Sequence, residues 1–321
     1  MTTMTLKYFA VRAMMALITV WLVLTLMYLS LHLSQWLVWS RGEAFADFAS
    51  RVWSLYVEHM KGILTRWDWG RTKDGLDAWE VLLMYAPNTL WFNFLAFAIY
   101  IPLSIVLGLL AGAFRGRIFD KLITFPMHVF SSVPNFIWYF FFILFFGYTL
   151  YWFPIVRPPE SAGFFETIKF WVLPIAALSL LPLSKYSLLV RAEYAETRDA
   201  DYNLLLRTKG LTRWQMFYRH RLKHCVAPVL PEVAPTFVFV FASSFLLEQM
   251  GYLYGASALL MDALIKQLPA RHIDIDINMA VLIVTFYVVI GLLVTIAVDM
   301  LYVLVEPRMR LGSKKTEIDA G

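Results

Sequence analysis

The sequence predicts an all-α integral membrane protein with six transmembrane helices, on three observations. Hydrophobic residues make up 60% of the 321 and charged residues only 16%, whereas a soluble domain is about a quarter charged. Apolar runs of the length a bilayer demands, about 20 residues, recur along the chain. Lys and Arg are unequally divided between the two sides those runs define.

Taken in order, the first run is Ala13 to Gln35. It exceeds the roughly 7 to 15 apolar residues of a secretory signal and no small-x-small cleavage site follows, so it is expected to remain as an anchor. Residues 1–33 then form a cytoplasmic N-terminus and first span, and 34–88 an extracytoplasmic loop. That loop holds Trp36, Trp39, Trp53, Trp67, Trp69 and Trp79. Amphipathic rings gather at membrane interfaces, so an aromatic belt accounts for most of them; a surface that stacks sugars or peptides is the alternative. Within the loop, Glu43 to Leu64 has helical apolar spacing and is expected to lie along the membrane surface. The second and third spans are Val81 to Phe114 and Leu122 to Val156. The fourth, Phe170 to Val190, contains Lys185, and the fifth, Pro228 to Leu247, contains Glu232; the sixth is Ile277 to Val298. Residues 89–306 are thus a membrane core with spans two to six, followed by a cytoplasmic tail at 307–321. Pro102, Pro126, Pro134, Pro174, Pro182 and Pro235 fall inside spans, where neighbouring groups can satisfy the freed carbonyls, so they suggest kinks.

Orientation follows from charge. With the N-terminus in the cytoplasm, 18 of the 28 Lys and Arg lie inside and 10 outside. Six of the outside residues are in the 34–88 loop, where seven acids offset them. Both termini are therefore expected to be cytoplasmic. The net charge of +5 reflects this topology and calls for no nucleic-acid partner.

Several chemistries are missing. No Gly-x-x-x-x-Gly-Lys-Ser/Thr phosphate loop, His-Glu-x-x-His zinc motif or Gly-x-Ser-x-Gly elbow occurs. The single cysteine, Cys225, excludes an internal disulfide and a multi-cysteine metal site. No catalytic residue, resident metal or cofactor is expected in this chain. Three acids, Glu232, Glu248 and Asp299, sit in or at the edges of spans. A charge at mid-membrane costs about 2.5–3.5 kcal/mol, so these acids either form a proton or cation relay or pair within the bundle. His32 and His128 near span ends read as interfacial residues.

The most informative segment is Arg191 to Pro228, on the cytoplasmic side between spans four and five. It carries eight Lys or Arg: Arg191, Arg198, Arg207, Lys209, Arg213, Arg219, Arg221 and Lys223. Its centre, Leu206-Arg207-Thr208-Lys209-Gly210-Leu211-Thr212, reads as a helix, a glycine break and a second helix. Gly210 stands just past the first helix, where a left-handed backbone costs least. Thr212 is a candidate N-cap, and Gln215 three residues on completes a capping box. Leu211, Trp214, Tyr218 and Leu222 then share roughly one face. A solvated basic loop and a docking surface are the two readings of such a stretch.

Further motifs stand in a particular order. Asp201-Tyr202, Arg207-Thr208-Lys209-Gly210-Leu211, Arg219-His220-Arg221-Leu222 and Pro228 occupy this segment. Trp69-Gly70 precedes the second span and Pro87-Asn88-Thr89-Leu90 opens it. Gly108 to Gly112 are followed by Arg115, Gly116 and Asp120, then by Val133-Pro134-Asn135-Phe136, Leu173-Pro174 and Glu248. Asp299-Met300-Leu301-Tyr302 and Glu306-Pro307-Arg308 close the series. In this order the chain, from roughly Leu6 to Arg310, resembles the membrane permease subunits of binding-protein-dependent ABC importers, in the oligopeptide/dipeptide B-type group. It departs from them at Leu204, Leu205 and Leu206, where small residues are usual, and at Ser34-Gln35-Trp36, where a Pro-Gly-Asp-Pro-like turn is common. Tyr254-Gly255-Ala256-Ser257 replaces the usual Pro-Gly-x-Gly after Glu248.

The resemblance implies the type I importer permease fold, with a cytoplasmic coupling helix between spans four and five. It implies a subunit that forms half of a pathway with a second, homologous permease. Two cytoplasmic ATPases, which would hold the ATP and Mg, and an extracytoplasmic solute-binding protein complete the assembly. Gly210 would aim the coupling helix. Leu211, Trp214 and Tyr218 would anchor it on the ATPase, while Arg207, Lys209 and Arg213, with His220, would meet acids there. Pathway candidates are Ser131, Ser132, Asn135, Ser243, Ser244 and Glu248; interhelical hydrogen bonding is the other use of such residues. Short peptides are the implied cargo, with oligosaccharides as the alternative. An ion-coupled secondary transporter or channel built on Glu232, Glu248 or Asp299 is the reading from another class.

Overall fold

A computed structural model describes residues 3–39, 44–159, 161, 163–199, 208–265 and 275–305. Among them the regular structure is helical, apart from one isolated bridge between Arg71 and Asp77. The elements are α1 (Thr3–Trp39), α2 (Phe45–Arg66), α3 (Ala78–Ala113), α4 (Ile118–Ser132) and α5 (Asn135–Phe142), which continues as a π-helical turn Ile143–Thr149. There follow α6 (Phe164–Asp199), α7 (Arg213–Met216), a second π-helical turn Phe217–Arg221, α8 (Leu222–Val226), α9 (Val229–Gly251), α10 (Ala256–Ile265) and α11 (Ile277–Val305).

Five stretches are long and apolar enough to cross a membrane: Ala10–Val38, Ala78–Ala113, Phe164–Thr197, Leu222–Gly251 and Ile277–Leu301. The third expected span, Leu122 to Val156, is not one continuous helix. Proline cannot donate a backbone hydrogen bond, and it pushes the preceding residue out of helical geometry. Before Pro134, Val133 is extended (φ −122°, ψ 132°), and the helices on either side meet at 105°. Among the described residues, length and composition give five candidate spans, or six when this bent pair is taken as one.

The chain forms two compact units. The first comprises Met1–Trp91 and Tyr252–Leu293, the second Phe92–Gly251 and Val294–Gly321. In the first unit α2 is amphipathic, and its apolar stripe is covered within the chain. Phe48, Val52, Tyr56 and Ile63 are buried, and the partners of this stripe lie on α1. Trp36 stacks on Phe48 at 5.3 Å, Tyr28 stacks on His59 at 4.9 Å, and the hydroxyls of Tyr56 and Thr25 are 2.7 Å apart. As α2 advances its partners recede along α1, so the two run antiparallel. Burial in this hairpin pushes the His59 imidazole below its usual range, with Asp68 opposing the shift.

The turn after α2 explains the Trp69-Gly70 pair. Trp67 ends the helix in a left-handed conformation (φ 57°), Asp68 Oδ1 accepts the Gly70 N–H at 2.9 Å, and Trp69 is buried. Gly70 has φ +84°, and a Cβ there would stand 2.6 Å from Asn278 Nδ2. Two acids that look like loop charges cap helices instead. Asp77 Oδ1 accepts from the N–H groups of Trp79 and Glu80 at the start of α3. Asp276 Oδ1 accepts from Met279 N–H at the start of α11, and its Oδ2 accepts from Lys73 N–H. Thr89 Oγ1 accepts the Ala256 N–H at 2.8 Å, tying the Asn88-Thr89 motif to α10.

The second unit is built around α6. Between Leu173 and Arg191 this helix is buried or half-buried at every position except Lys185. Gly108 and Gly112 let α3 approach it closely. A Cβ at Gly108 would lie 2.6 Å from the Ser187 carbonyl oxygen, and one at Gly112 would lie 2.8 Å from Tyr194 Cβ. This is small-xxx-small packing, which membrane helices use to bring backbones together. On another side, Arg191 grips Asp120 of α4 through two parallel bonds, Nε to Oδ1 at 2.6 Å and Nη2 to Oδ2 at 2.7 Å. The Gly116 N–H (φ +80° at Gly116) also donates to Asp120 Oδ2, at 2.9 Å. The Asp120 side chain is only 3% exposed.

Two outcomes follow. Gly108→Ala places a methyl against fixed backbone and should destabilise the protein by about 2 kcal/mol, read as a lower midpoint of thermal denaturation in detergent; an unchanged midpoint refutes the close crossing. Asp120→Asn leaves Arg191 without its carboxylate and should cost about 3 kcal/mol. Arg191→Lys, which keeps the charge but loses the fork, should recover only part of the wild-type midpoint.

Candidate functional site

α6 ends at Asp199, and the next described residue is Thr208. Arg207, the three leucines before it and Asp201-Tyr202 lie outside the described residues. So do the side chains of Arg213, Arg219 and His220, and Glu306-Pro307-Arg308 with the tail. What is described matches the glycine break and cap expected from the spacing. Gly210 has φ +72° with open space where a Cβ would be, so backbone conformation alone explains glycine there. The Thr212 N–H donates to Gln215 Oε1 at 3.0 Å, and the Gln215 N–H donates to Thr212 Oγ1 at 3.3 Å. These reciprocal bonds satisfy donors that the first turn of α7 would otherwise leave open.

From this cap the chain runs through α7, the π-helical turn and α8. Its outward face carries Trp214 and Tyr218, 72% and 66% exposed, beside the exposed Lys209; Leu211 and Leu222 are half-buried. The inward face carries Met216, 2% exposed, and the fully buried Cys225. Phe217 bridges the two faces, with its ring 5.7 Å from Trp214 and 6.3 Å from Tyr194 of α6. The anchoring residues Met216 and Phe217 do not stand out in the sequence. Met216 follows Trp214 by two positions, which on a helix is nearly the opposite face, and that is the available signal. The π-helical turn adds a residue to the helical register, so a strict 3.6 period cannot carry through it.

The six polar candidates separate into two groups. Ser131 and Ser132, at the end of α4, are exposed and donate to the His128 carbonyl of their own helix at 3.0 and 2.7 Å. The others are drawn together around α9. Asn135, the first residue of α5, is buried and donates from Nδ2 to Ser243 Oγ at 3.5 Å. Ser244 is fully buried and accepts from Asn93 Nδ2 of α3 at 3.0 Å, and Glu248, one turn further along α9, is 1% exposed. Asn93 is not among the residues expected from the sequence, although an amide within an apolar run is itself a signal of interhelical bonding.

Glu232 is ion-paired. Lys185 Nζ lies 2.6 Å from Glu232 Oε2 and 3.2 Å from Thr236 Oγ1, while the Tyr186 hydroxyl donates to the Glu232 carbonyl at 3.1 Å. The two residues that break the apolar character of the fourth and fifth runs are therefore each other's partners.

Comparison with known proteins gives a consistent result. Residues 104–311 match the family model described as the binding-protein-dependent transport system inner membrane component. The dipeptide transport system permease protein DppB of Lactococcus lactis subsp. cremoris is 30% identical over 216 residues, 65% of this chain and 66% of that protein. The peptide transport system permease protein SapB of Salmonella typhimurium is 26% identical over 241 residues, 67% of this chain and 75% of that protein. Among solved structures, a chain in the crystal structure of an amino acid ABC transporter with histidines superposes with a TM-score of 0.51 at 15% identity, covering 71% of this chain and 94% of that one; this likeness concerns the fold alone. Close glycine packing of α3 on α6, the capped helix after Gly210 and a family match spanning both lead to one conclusion: the chain belongs to the binding-protein-dependent transport system inner membrane components.

Proposed function

We propose that this chain is the permease subunit of an ATP-driven importer of short peptides, and that it forms half of the translocation pathway beside a second, homologous permease. One observation carries the reading. A short helix with a full capping box presents two large aromatic side chains, Trp214 and Tyr218, to the outside of the folded chain. Exposed aromatics on an ordered scaffold suit the anchors of a protein interface, where Trp and Tyr dominate binding energy. The partners are two cytoplasmic ATPases, with an extracytoplasmic solute-binding protein on the other face. The names of the related peptide and dipeptide permeases support the cargo class.

In this reading both termini and the Gly210 segment are cytoplasmic, and the bent α4–α5 pair counts as the third of six spans. Trp214, Tyr218 and Leu211 seat the coupling helix on an ATPase, while Lys209 and the neighbouring Arg207, Arg213 and His220 meet its acids. Movement of the ATPases reaches the bundle through Phe217 against Tyr194 of α6, and from α6 through the Arg191–Asp120 fork to α4. A rigid fork and close-packed glycines favour rocking of these helices as a body over local bending. Of the pathway candidates, Ser131 and Ser132 are open to the surface, whereas Asn135, the half-buried Ser243 and Ser244 bond between helices. The ion-coupled alternative loses Glu232, which is paired with Lys185, and Glu248 and Asp299 are not without partners either.

Gly210→Pro tests the reading, because proline holds φ near −65° and cannot adopt the +72° observed. The variant should insert into the membrane yet lose peptide-stimulated ATPase activity and peptide uptake in the reconstituted complex. Trp214→Ala should weaken ATPase association by about 30-fold, the factor for losing an interface anchor of 2 kcal/mol, measured by binding of the purified ATPases to the permease pair. Full stimulation and uptake in both variants would sink the assignment.

A further inference from the structure

α6 is sealed by α3, α4, α5 and α9 along its central turns, and between Leu173 and Arg191 it exposes a single residue, Lys185. That residue meets Glu232, and the two side chains stay 46% and 43% exposed despite their 2.6 Å contact. On α9, Glu232 is followed at spacings of three and four by Pro235, Phe239, Ala242 and Leu246, all exposed. The pair therefore stands at one end of a continuous helix face that the described residues do not cover. Both residues belong to helices of membrane-spanning length. Charges in such helices face the bundle interior or a water-filled cavity, since contact with hydrocarbon is costly.

We infer that Lys185 and Glu232 face the translocation pathway near its cytoplasmic end and hold the two charged ends of a peptide in transit, Lys185 its α-carboxylate and Glu232 its α-ammonium. This rests on the proposed peptide transport and names a recognition site for it. The chemistry is symmetrical: a short peptide carries one ion of each sign, and the site offers one of each. A half-exposed ion pair contributes little net stability, so exchanging it for two contacts with cargo is nearly balanced in free energy. Without cargo the pair closes and bridges α6 to α9. The backbone beneath it does not have to move, because Tyr186 already holds the Glu232 carbonyl and Thr236 is buried beside it.

The test uses the full complex in proteoliposomes, with Cys225→Ser as background and Lys185→Cys or Glu232→Cys added. A hydrophilic thiol reagent should modify either new thiol, and a saturating transported dipeptide should slow modification by about fivefold, the upper worth of an exposed charge contact. In a second arm, Lys185→Met should lower uptake of a dipeptide with free ends about fivefold while barely changing uptake of its C-amidated form. The charge-exchanged double variant Lys185→Glu with Glu232→Lys should regain uptake that each single change loses. A thiol at 185 that does not react in the assembled complex, or that reacts at a rate indifferent to dipeptide, overturns the inference. Equal loss of free and amidated dipeptide overturns it too. Failure of the transport reading itself is separately visible, as absence of any peptide uptake by the unsubstituted complex.

Discussion

Nearly everything in the second unit depends on α6 being packed tightly enough to be buried along its central turns. Two glycines make this possible. With Gly108 and Gly112 facing it, α3 comes within a distance at which even one methyl group would strike the Ser187 carbonyl or the Tyr194 side chain. In lipid no hydrophobic effect drives helices together, so contact area between backbones and hydrogen bonding across the interface must do so. The glycines provide the first. The second comes from the Arg191–Asp120 fork, and on α9 from the Asn93–Ser244 and Asn135–Ser243 bonds.

Because the central turns of α6 are so fully occupied, two places on the helix are informative. One is Lys185, which emerges beside Glu232. The other is the far end of the helix, which leads to the Gly210 turn and the capped α7. These two features lie on the same helix as the fork that fixes α4. A force applied at the aromatic face of α7 and α8 has a route of packed and hydrogen-bonded groups into the bundle: Phe217 to Tyr194, then one turn back to Arg191 and across to Asp120. The route contains no long flexible side chain except the arginine, and two bonds hold that arginine.

Much of the candidate site is legible in the sequence alone. Gly210, Thr212 and Gln215 are separated by two and three residues, and local backbone chemistry sets what such residues do, so the left-handed turn and the reciprocal cap follow from spacing. Helical spacing likewise puts Trp214 and Tyr218 on one face, and that face is the outward one. Phe217 does not stand out as an anchor of the segment, because a π-helical turn shifts the register from Phe217 onward, whereas Met216, before that turn, is signalled only by its two-residue offset from Trp214. The pairing of Lys185 with Glu232, 47 residues apart, has no local signature. Each looks like a flaw in its own apolar run.

The sequence by itself determined the chemistry available: a chain too apolar for water, helices bounded by caps and glycines, and a basic segment with two aromatics at helical spacing. These follow from composition and from interactions within four or five residues, which one-dimensional reading captures. Only the tertiary structure decided what depends on contacts across the bundle. It broke the third apolar run at Pro134, where extended Val133 turns the path by 105°. It laid the apolar stripe of the amphipathic α2 against α1, since periodicity shows that a stripe needs covering and cannot name the partner that covers it. It also turned Asp77, Asp276 and Asp120 from apparent surface charges into two helix caps and one half of a buried fork. A carboxylate's role is set by which donors the fold brings within 3 Å of it, and those donors lie up to 203 residues away.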